Sequence, residues 1–202
     1  MSKSEYYTKE AAIYNGVIEL IKNGANPYLI KVSDIAKAAN VGKGTIYDYF
    51  STKEEAISKA ILYSIKKDIE NVFLRVKSKE KFKDKFYEIL YIMAENMEDN
   101  KSTFNMLVAT GGIQEFYEYL INEEYDFSEL IIVLDSIIEH LIQAGTDERL
   151  VDVFESKYYK KAAIRESIRS FGDYISSKEK YKDISLQEAM DTSYRLAVKS
   201  LR

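Results

Sequence analysis

The residue types that this sequence lacks narrow both its fold and its chemistry. Its 202 residues include no Cys, one His, one Pro and eight Gly. Without Cys there are no disulfides or thiolate ligands, and a single His excludes His-cluster metal sites and most His-based catalytic triads. Gly and Pro supply tight turns, so their scarcity argues against an all-β sandwich or barrel and favours long helices with short connections.

Signals for targeting, membranes and catalysis are also missing from the sequence. The polar residues 1–10 contain no apolar core of a signal peptide, and no apolar run approaches the roughly 18 residues of a membrane-spanning helix. No Gly-rich phosphate loop, nucleophile elbow or metal-ligand cluster is present. We therefore expect a cytoplasmic protein that has no membrane partner, no cofactor, no metal and no enzymatic activity.

Apolar residues recur at helical spacing through most of the chain. Thr52 with Glu55, and Ser185 with Glu188, have the spacing of capping boxes that begin helices. No alternation typical of a strand is sustained over five residues, so the predicted fold class is all-α. The pattern predicts helices at about residues 5–23, 33–39, 43–50, 52–76, 82–97, 127–144, 162–175 and 185–201, with shorter pieces after residue 100 and over 113–125.

The segment 35–53, IAKAANVGKGTIYDYFSTK, has the pattern of a helix-turn-helix. The small side chains of Ala36 and Ala39 allow its two helices to cross closely, and Val41 is the apolar residue of the turn. Ile46 and Phe50 are predicted to be buried beneath the second helix. That helix would then present Lys43, Gly44, Thr45, Tyr47, Asp48 and Tyr49 to the base edges of a DNA major groove.

These residues resemble the helix-turn-helix of the TetR-type transcriptional repressors, and the resemblance is specific over about residues 13–57. It implies an N-terminal three-helix DNA-binding domain over residues 1–52. It also implies a C-terminal helical bundle over residues 53–202 for ligand binding and dimerisation. The family's pattern I-A-x-x-A-x-V-x-K-G-T-(L/I)-Y-x-(Y/H)-F-x-x-K-(E/D) is matched by Ile35, Ala36, Ala39, Val41, Lys43, Gly44, Thr45, Ile46, Tyr47, Tyr49, Phe50, Lys53 and Glu54.

The resemblance also assigns roles to individual residues of the motif. Lys43, Gly44, Thr45 and Tyr47 match positions that contact bases and adjacent phosphates, and Ser33, Tyr49 and Lys53 are candidates for phosphate contact. The chain departs from the family at Asn40, Gly42 and Asp48, where Gly, Ser and an aromatic or neutral polar residue are usual. An acid at position 48 either is repelled by phosphate or accepts a hydrogen bond from cytosine N4.

The charge of the chain is unevenly distributed. The formal net charge is −4, but residues 1–57 carry seven Lys and seven acidic residues, so the deficit lies in residues 58–202. Residues 31–53 hold four Lys against two Asp, a local charge of +2. Binding to double-stranded DNA would therefore depend on a local cationic face and on the avidity of a homodimer.

The C-terminal domain is expected by resemblance to hold a small-molecule effector and the homodimer interface. An aromatic and Met-rich pocket would suit a flat or hydrophobic effector, although each candidate residue alone is as compatible with core or surface. The pocket candidates are Tyr87, Tyr91, Met97, Phe104, Phe116, Tyr117 and His140. The last two long helices, about 157–176 and 185–201, would pair with their copies through Ile164, Ile168, Phe171, Leu186, Met190, Leu196 and Ala197, unless these form a purely intramolecular core.

Together these features predict a bacterial, homodimeric, ligand-responsive regulator that binds a palindromic DNA operator, most simply as a repressor. Effector binding would change the separation of the two recognition helices and lower the affinity for DNA. The alternative is a helical interaction protein built on the same fold, with a protein partner in place of DNA. The near-neutral N-terminal region and Asp48 favour that alternative.

Overall fold

Helices make up most of the part of the chain that the structure describes. This computed structural model describes residues 3–98, 128–152 and 154–202, with the single positions 116 and 118. The helices in these ranges are α1 (Lys3–Lys22), α2 (Val32–Ala38), α3 (Lys43–Tyr49), α4 (Lys53–Lys77), α5 (Phe82–Glu98), α6 (Ser128–Asp147), α7 (Lys157–Ser176) and α8 (Leu186–Leu201). No strand occurs in them, which confirms the predicted all-α class. The short helices predicted after residue 100 and over 113–125 lie outside the described residues.

The chain divides into two compact units. The first contains the residues up to Asp68 and the described positions 116 and 118, and the second contains Ile69–Glu98 and Ser128–Arg202. The division falls inside α4, so this single helix contributes its beginning to the first unit and its end to the second. The predicted domain boundary between residues 52 and 53 lies at the start of the same helix and stays a prediction.

The core of the first unit is built from one face of each of its helices. Ile13 and Val17 of α1, Ile35 of α2 and Ile46 of α3 are completely buried, and Phe50 is 2% exposed. The first two are four residues apart and so share a face of α1. Burial of such aliphatic side chains contributes about 1.5–3 kcal/mol each. This core is what supports the two short helices α2 and α3.

The turn between α2 and α3 depends on a left-handed residue. Asn40 has a φ of 53°, a conformation that Asn tolerates better than most residues. The amide of Val41 donates to the carbonyl of Ala36 at 2.9 Å, and the amide of Asn40 donates to the carbonyl of Lys37 at 3.2 Å. These two bonds form a Schellman motif, which satisfies the last carbonyls of α2. Asn40 therefore takes the left-handed conformation at the position where the resemblance leads one to expect Gly.

The core of the second unit brings α5, α6, α7 and α8 together. Phe82, Phe86 and Leu90 lie along one face of α5 and are completely buried, as are Leu141 of α6 and Ile164 of α7. The helix α8 packs along α7, and its residues Met190 and Ala197 have no exposed surface, while Leu201 is 1% exposed. The apolar residues named here, which recur at helical spacing in the sequence, therefore pack within the unit.

The end of α6 differs from the prediction. The predicted helix over about residues 127–144 ends before Gly145, but α6 continues to Asp147 and Gly145 is buried within it. A Cβ atom on Gly145 would come within 2.8 Å of the Val151 side chain and 3.2 Å of the Phe82 ring. The glycine is therefore required for close packing, and the chain turns away after the end of α6 at Arg149, which has a φ of 58°.

Ion pairs and hydrogen bonds connect the end of α4 to α5. Arg75 donates to Glu88 at 2.6 Å and to Glu95 at 3.0 Å, and Lys79 lies 3.2 Å from Glu88. Lys85 is buried, and its ammonium donates to the carbonyls of Val76, at 3.0 Å, and of Lys79. Burial lowers the pKa of Lys85. These bonds satisfy the carbonyl of Val76 in the last turn of α4 and that of Lys79 in the segment that follows it.

Two kinds of feature do not occur among the described residues. None of their helices combines the length and the apolar character needed to cross a membrane. No three of their His, Asp or Glu side chains converge in a way that would hold a metal ion. What distinguishes these residues instead is an exposed helix face in the first unit and an apolar cavity in the second.

The crossing of α1 and α2 at Gly16 is testable by substitution. A Cβ atom at this position would lie 2.8 Å from the backbone nitrogen of Ala39, which cannot move without displacing α2. We expect Gly16→Ala to lower the free energy of unfolding by about 1–3 kcal/mol in urea denaturation. Gly44→Ala is the matched control, because nothing lies within 4 Å of its added Cβ. Equal losses in the two variants would contradict this account of the crossing.

The ion pairs of Glu88 predict a pH-dependent stability. Burial raises the pKa of Glu88, but the hydrogen bonds from Arg75 and Lys79 outweigh it, so this pKa lies below its ordinary value. The stabilisation is therefore present above the unfolded pKa, roughly 4.3, and is lost as the pH falls through the folded value. We expect Glu88→Gln to cost about 1 kcal/mol at pH 7 and much less at pH 3.

The measurement for Glu88 is the free energy of unfolding from denaturant titrations at several pH values. Glu80→Gln is the control, because Glu80 is exposed and has no ion pair among the described residues. That variant should match the parent protein across the pH range. A Glu88→Gln deficit that is independent of pH would show that the loss does not arise from the carboxylate charge.

Candidate nucleic-acid interface and effector cavity

The outer face of α3 presents a mixed set of side chains to solvent. Ile46 is completely buried below it, while Lys43, Gly44 and Asp48 are exposed and Tyr47 is 56% exposed. No described acidic group lies within ion-pair distance of Lys43, and no described cation lies within that distance of Asp48. Both charges are therefore available to a partner, and Tyr47 adds an exposed aromatic ring between them.

Gly44 has a different role from the glycines of the core. A Cβ atom on Gly44 would meet nothing within 4 Å, so the protein's own packing does not require a glycine there. Its small size instead leaves open space on the exposed side of α3. Gly42, the N-cap residue of α3, supplies no side-chain hydrogen bond to the first amides of the helix.

The remaining predicted contact residues are less exposed. Thr45 and Ser33 are half-buried, and the Ser33 hydroxyl lies 3.5 Å from a carboxylate oxygen of Asp34. Tyr49 is half-buried, with its ring centroid 6.3 Å from that of Phe50. Their roles in binding phosphate stay predictions, since their side chains also pack against this unit.

Lys53 is engaged within the protein. Its ammonium donates to the carbonyl of Tyr28 at 2.9 Å and lies 3.4 Å from a carboxylate oxygen of Glu54. The Tyr28 hydroxyl is 2.7 Å from the hydroxyl of Ser58 on α4. These bonds tie the turn at Pro27–Leu29 to the beginning of α4. A phosphate contact from Lys53 would therefore have to be added to these bonds or would have to replace them.

The beginning of α4 is capped as the sequence predicts. The amide of Glu55 donates to the Thr52 hydroxyl at 3.0 Å, and the Glu55 carboxylate accepts from the amide of Ser51 at 2.7 Å. The carboxylate thus reaches back one residue further than in the standard capping box. Only the short segment from Phe50 to Thr52 separates α3 from α4, so the cap also fixes the end of α3.

A cavity of about 370 Å³ lies within the second unit. Its floor is made by Ile89, Ile137 and Ile138, which are 5–8% exposed. Ile131 and Leu134 of α6 are 58% and 48% exposed and form the more open side. Helices α4, α5, α6 and α7 all contribute, and the full lining is Val72, Ile89, Ile131, Leu134, Asp135, Ile137, Ile138, Arg165 and Ile168.

The described pocket candidates do not line this cavity. Tyr87 is buried in the core, where its hydroxyl donates to Asp191 of α8, and burial together with this bond raises the pKa of Tyr87. Tyr91 is 43% exposed, and the His140 ring lies 5.4 Å from that of Phe73. Phe116 belongs to the core of the first unit. Phe104, Tyr117 and the side chain of Met97 lie outside the described residues.

The candidates for the dimer seam divide into buried and accessible residues. Ile164, Met190 and Ala197 are completely buried within this chain, and Phe171 is 1% exposed. A side chain without exposed surface cannot contribute contact area to a partner, so these four form the intramolecular core that the sequence left as an alternative. Leu196 is 44% exposed, while Ile168 and Leu186 are half-buried. Ile168 also lines the cavity.

The predicted pocket is aromatic and Met-rich, whereas the residues that line the cavity are mostly aliphatic. The run LIIVL at positions 130–134 could have indicated this part of the cavity, because it is apolar around more than one face of α6. A helix with a single apolar face can bury that face against one neighbouring element. A helix with a wider apolar surface buries all of it only when a second element or a ligand also covers it. Ile131, Ile132 and Leu134 are indeed 48–63% exposed.

A comparison with protein families matches the helix-turn-helix region. Residues 28–61 match the sequence model of the bacterial regulatory proteins of the tetR family. The matched segment holds α2, α3 and the first part of α4, which is the region in which the exposed face of α3 and the capped start of α4 were found. No curated protein matches the chain in sequence.

Solved structures with the same fold extend over nearly the whole chain. A TetR family transcription regulator from Marinobacter aquaeolei is 11% identical, with coverage of 99% of this chain and 98% of that one and a TM-score of 0.58. The fatty acid degradation regulator FadR from Bacillus halodurans is 16% identical, with coverage of 95% and 99% and a TM-score of 0.52. FadR from Bacillus subtilis, solved with stearoyl-CoA, is 18% identical, with coverage of 95% and 97% and a TM-score of 0.51. At these identities the likeness establishes the fold.

Proposed function

We propose that this chain is a sequence-specific DNA-binding repressor of the TetR family, which a small effector releases from a palindromic operator. The observation that carries the proposal is the orientation of α3. Ile46 anchors this helix in the core, while Lys43, Gly44, Tyr47 and Asp48 face outward, as a helix that enters the major groove requires.

The proposed operator is palindromic because the binding unit is a homodimer. A +2 charge over residues 31–53 is small for a single copy, whereas two copies on one duplex gain avidity. Two recognition helices reach successive major grooves when they lie about 34–36 Å apart. We place the dimer contact on the outer sides of α7 and α8, where Leu196 is exposed and Leu186 is half-buried.

The effector site of this proposal is the cavity in the second unit. Val72 of α4 lines it, and α4 begins only four residues after the end of α3. A ligand that displaces Val72 would therefore act on the helix that follows the recognition helix. The similar fold of Bacillus subtilis FadR, which was solved with stearoyl-CoA, supports a ligand with a hydrocarbon chain here. Coupling of this kind is reciprocal, so operator DNA must weaken effector binding by the same factor.

Asp48 is proposed to read a base. An exposed carboxylate beside the DNA is repelled by phosphates, but it accepts a hydrogen bond from cytosine N4 in the major groove. Asp48 lies on the outer face of α3 and has no ion pair among the described residues, so its charge is not neutralised within the protein. The favoured operator therefore contains a cytosine opposite Asp48 in each half-site.

The second candidate function is binding of a protein partner through the same face. The exposed carboxylate of Asp48 and the zero net charge of residues 1–57 favour it, because both weaken general attraction to DNA. A selection of bound duplexes from a random pool at low salt separates the two functions. Enrichment of a palindrome supports the repressor, whereas no enrichment at low salt overturns it and supports the protein-binding alternative.

The contacts of Lys43 and Tyr47 are tested on the selected palindrome. We expect Lys43→Ala and Tyr47→Ala each to weaken binding at least about tenfold, because each would remove base or phosphate contacts from both copies. Lys43→Ala should also flatten the plot of log K against log salt by about 0.9 for each phosphate that is no longer neutralised. Lys22→Ala, an exposed position at the end of α1, is the matched control. Fluorescence anisotropy at several salt concentrations measures both quantities.

The role of Asp48 is tested with the Asp48→Asn variant. Removal of the cytosine contact should relax the preference at one position of each half-site by about tenfold, because an amide no longer accepts with full charge. The measurement compares the affinities of duplexes that differ only at that base pair. If Asp48→Asn tightens binding to every duplex equally, the carboxylate acts by repulsion alone and the proposed reading of cytosine is wrong.

A further inference from the structure

The lining of the cavity is aliphatic except at two positions. Seven of the nine lining residues are Val, Ile or Leu, and the other two are Asp135 of α6 and Arg165 of α7. Its volume of about 370 Å³ is that of a small-ligand site. An apolar wall with one or two convergent polar groups is the usual composition of a site that orients its ligand. The charge of a suitable ligand therefore depends on whether Asp135 and Arg165 are already paired with other residues of the protein.

The charge of Asp135 is already neutralised. Lys161, one turn before Arg165 on α7, donates to Asp135 at 2.9 Å and lies 3.1 Å from Glu139. Glu139 in turn lies 2.7 Å from Lys157. The hydrogen bond with Asp135 raises the pKa of Lys161. These pairs join α6 and α7 beside the cavity and leave Asp135 with a cationic partner.

Arg165 has no such partner. Among the described residues no carboxylate forms an ion pair with its guanidinium and no group forms a hydrogen bond with it. Its side chain is exposed at the rim of the cavity and contributes to the lining. A guanidinium presents N–H donors in a planar fork that matches the two oxygens of a carboxylate. The unpaired charge at the cavity is thus positive.

We propose that the cavity binds an amphipathic monocarboxylate, with its hydrocarbon chain on the aliphatic wall and its carboxylate paired with Arg165. A cationic ligand would be repelled by Arg165 and would find Asp135 already paired with Lys161. An uncharged hydrocarbon would gain the apolar contacts but not the ionic one. The inference deepens the proposed effector control and depends on it only for the regulatory consequence, because binding itself can be measured without DNA.

The test measures binding of octanoate, decanoate and dodecanoate to the full chain by titration calorimetry, with methyl decanoate as the uncharged counterpart. Each added methylene should tighten binding about fourfold until the cavity is filled. Decanoate should bind about tenfold more tightly than its methyl ester, because only the carboxylate pairs with the guanidinium. Equal affinity of decanoate and methyl decanoate would overturn the proposal, as would binding of neither.

Two variants assign the anionic contact to Arg165. Arg165→Gln should weaken decanoate about tenfold and leave methyl decanoate unchanged. Arg169→Gln is the matched control, because Arg169 lies one turn further along α7, is 71% exposed, lies 3.9 Å from Glu166 and does not line the cavity. It should leave both ligands unchanged. If Arg165→Gln and Arg169→Gln bind decanoate equally, the carboxylate does not pair with Arg165.

A third variant places a negative charge at the open side of the cavity. Ile131 is 58% exposed, so Ile131→Glu should fold like the parent protein, which its thermal unfolding curve checks. The added carboxylate should weaken decanoate more than methyl decanoate. An equal loss of both ligands would contradict an anionic head group at this rim.

The regulatory consequence is read separately, as the affinity for the selected operator with and without decanoate. Binding of decanoate as described, with no change in operator affinity, leaves the site assignment standing and overturns release by an effector. Operator binding that is intact while no carboxylate binds overturns the site assignment and leaves the DNA-binding function standing. The two proposals can therefore fail independently.

Discussion

Burial of the inner face of α3 is the interaction on which the proposed function depends. A helix of seven residues has too few internal hydrogen bonds to persist in water by itself. Ile46 and Phe50 hold it by packing against the core that α1 and α2 form. Because that packing uses only one face, the opposite face remains available, and Lys43, Tyr47 and Asp48 are exposed there.

The helix α4 contributes residues to both units of the chain. Its start is capped by Thr52 and Glu55 and tied to the preceding turn by Lys53. Its end is held by the Glu88 ion pairs and by the buried ammonium of Lys85. The same helix lines the cavity at Val72, and the proposed effector control acts through this residue.

Both proposed sites depend on individual charged side chains and not on the net charge of the chain. The chain is acidic overall, with a net charge of −4, yet both proposed sites depend on an unpaired cation near apolar or neutral surroundings. Lys43 lies on the exposed face of α3, and Arg165 lies at the rim of an aliphatic cavity. An unpaired charge of this kind selects an anion, whereas neighbouring charges that are already paired, such as Asp135 with Lys161, contribute to structure.

The sequence by itself determined the helices, the turn at Asn40 and the cap at Thr52, because helical period and capping depend on residues close together in the chain. Only the tertiary structure decided that Gly145 packs inside α6 and that Met190 belongs to the core of its own chain. The tertiary structure also decided which charged groups near the cavity form ion pairs, and among the described residues Arg165 forms none. Periodicity identifies the apolar face of a helix, but the neighbour that covers this face comes from residues distant in sequence, and so do the partners of each charge.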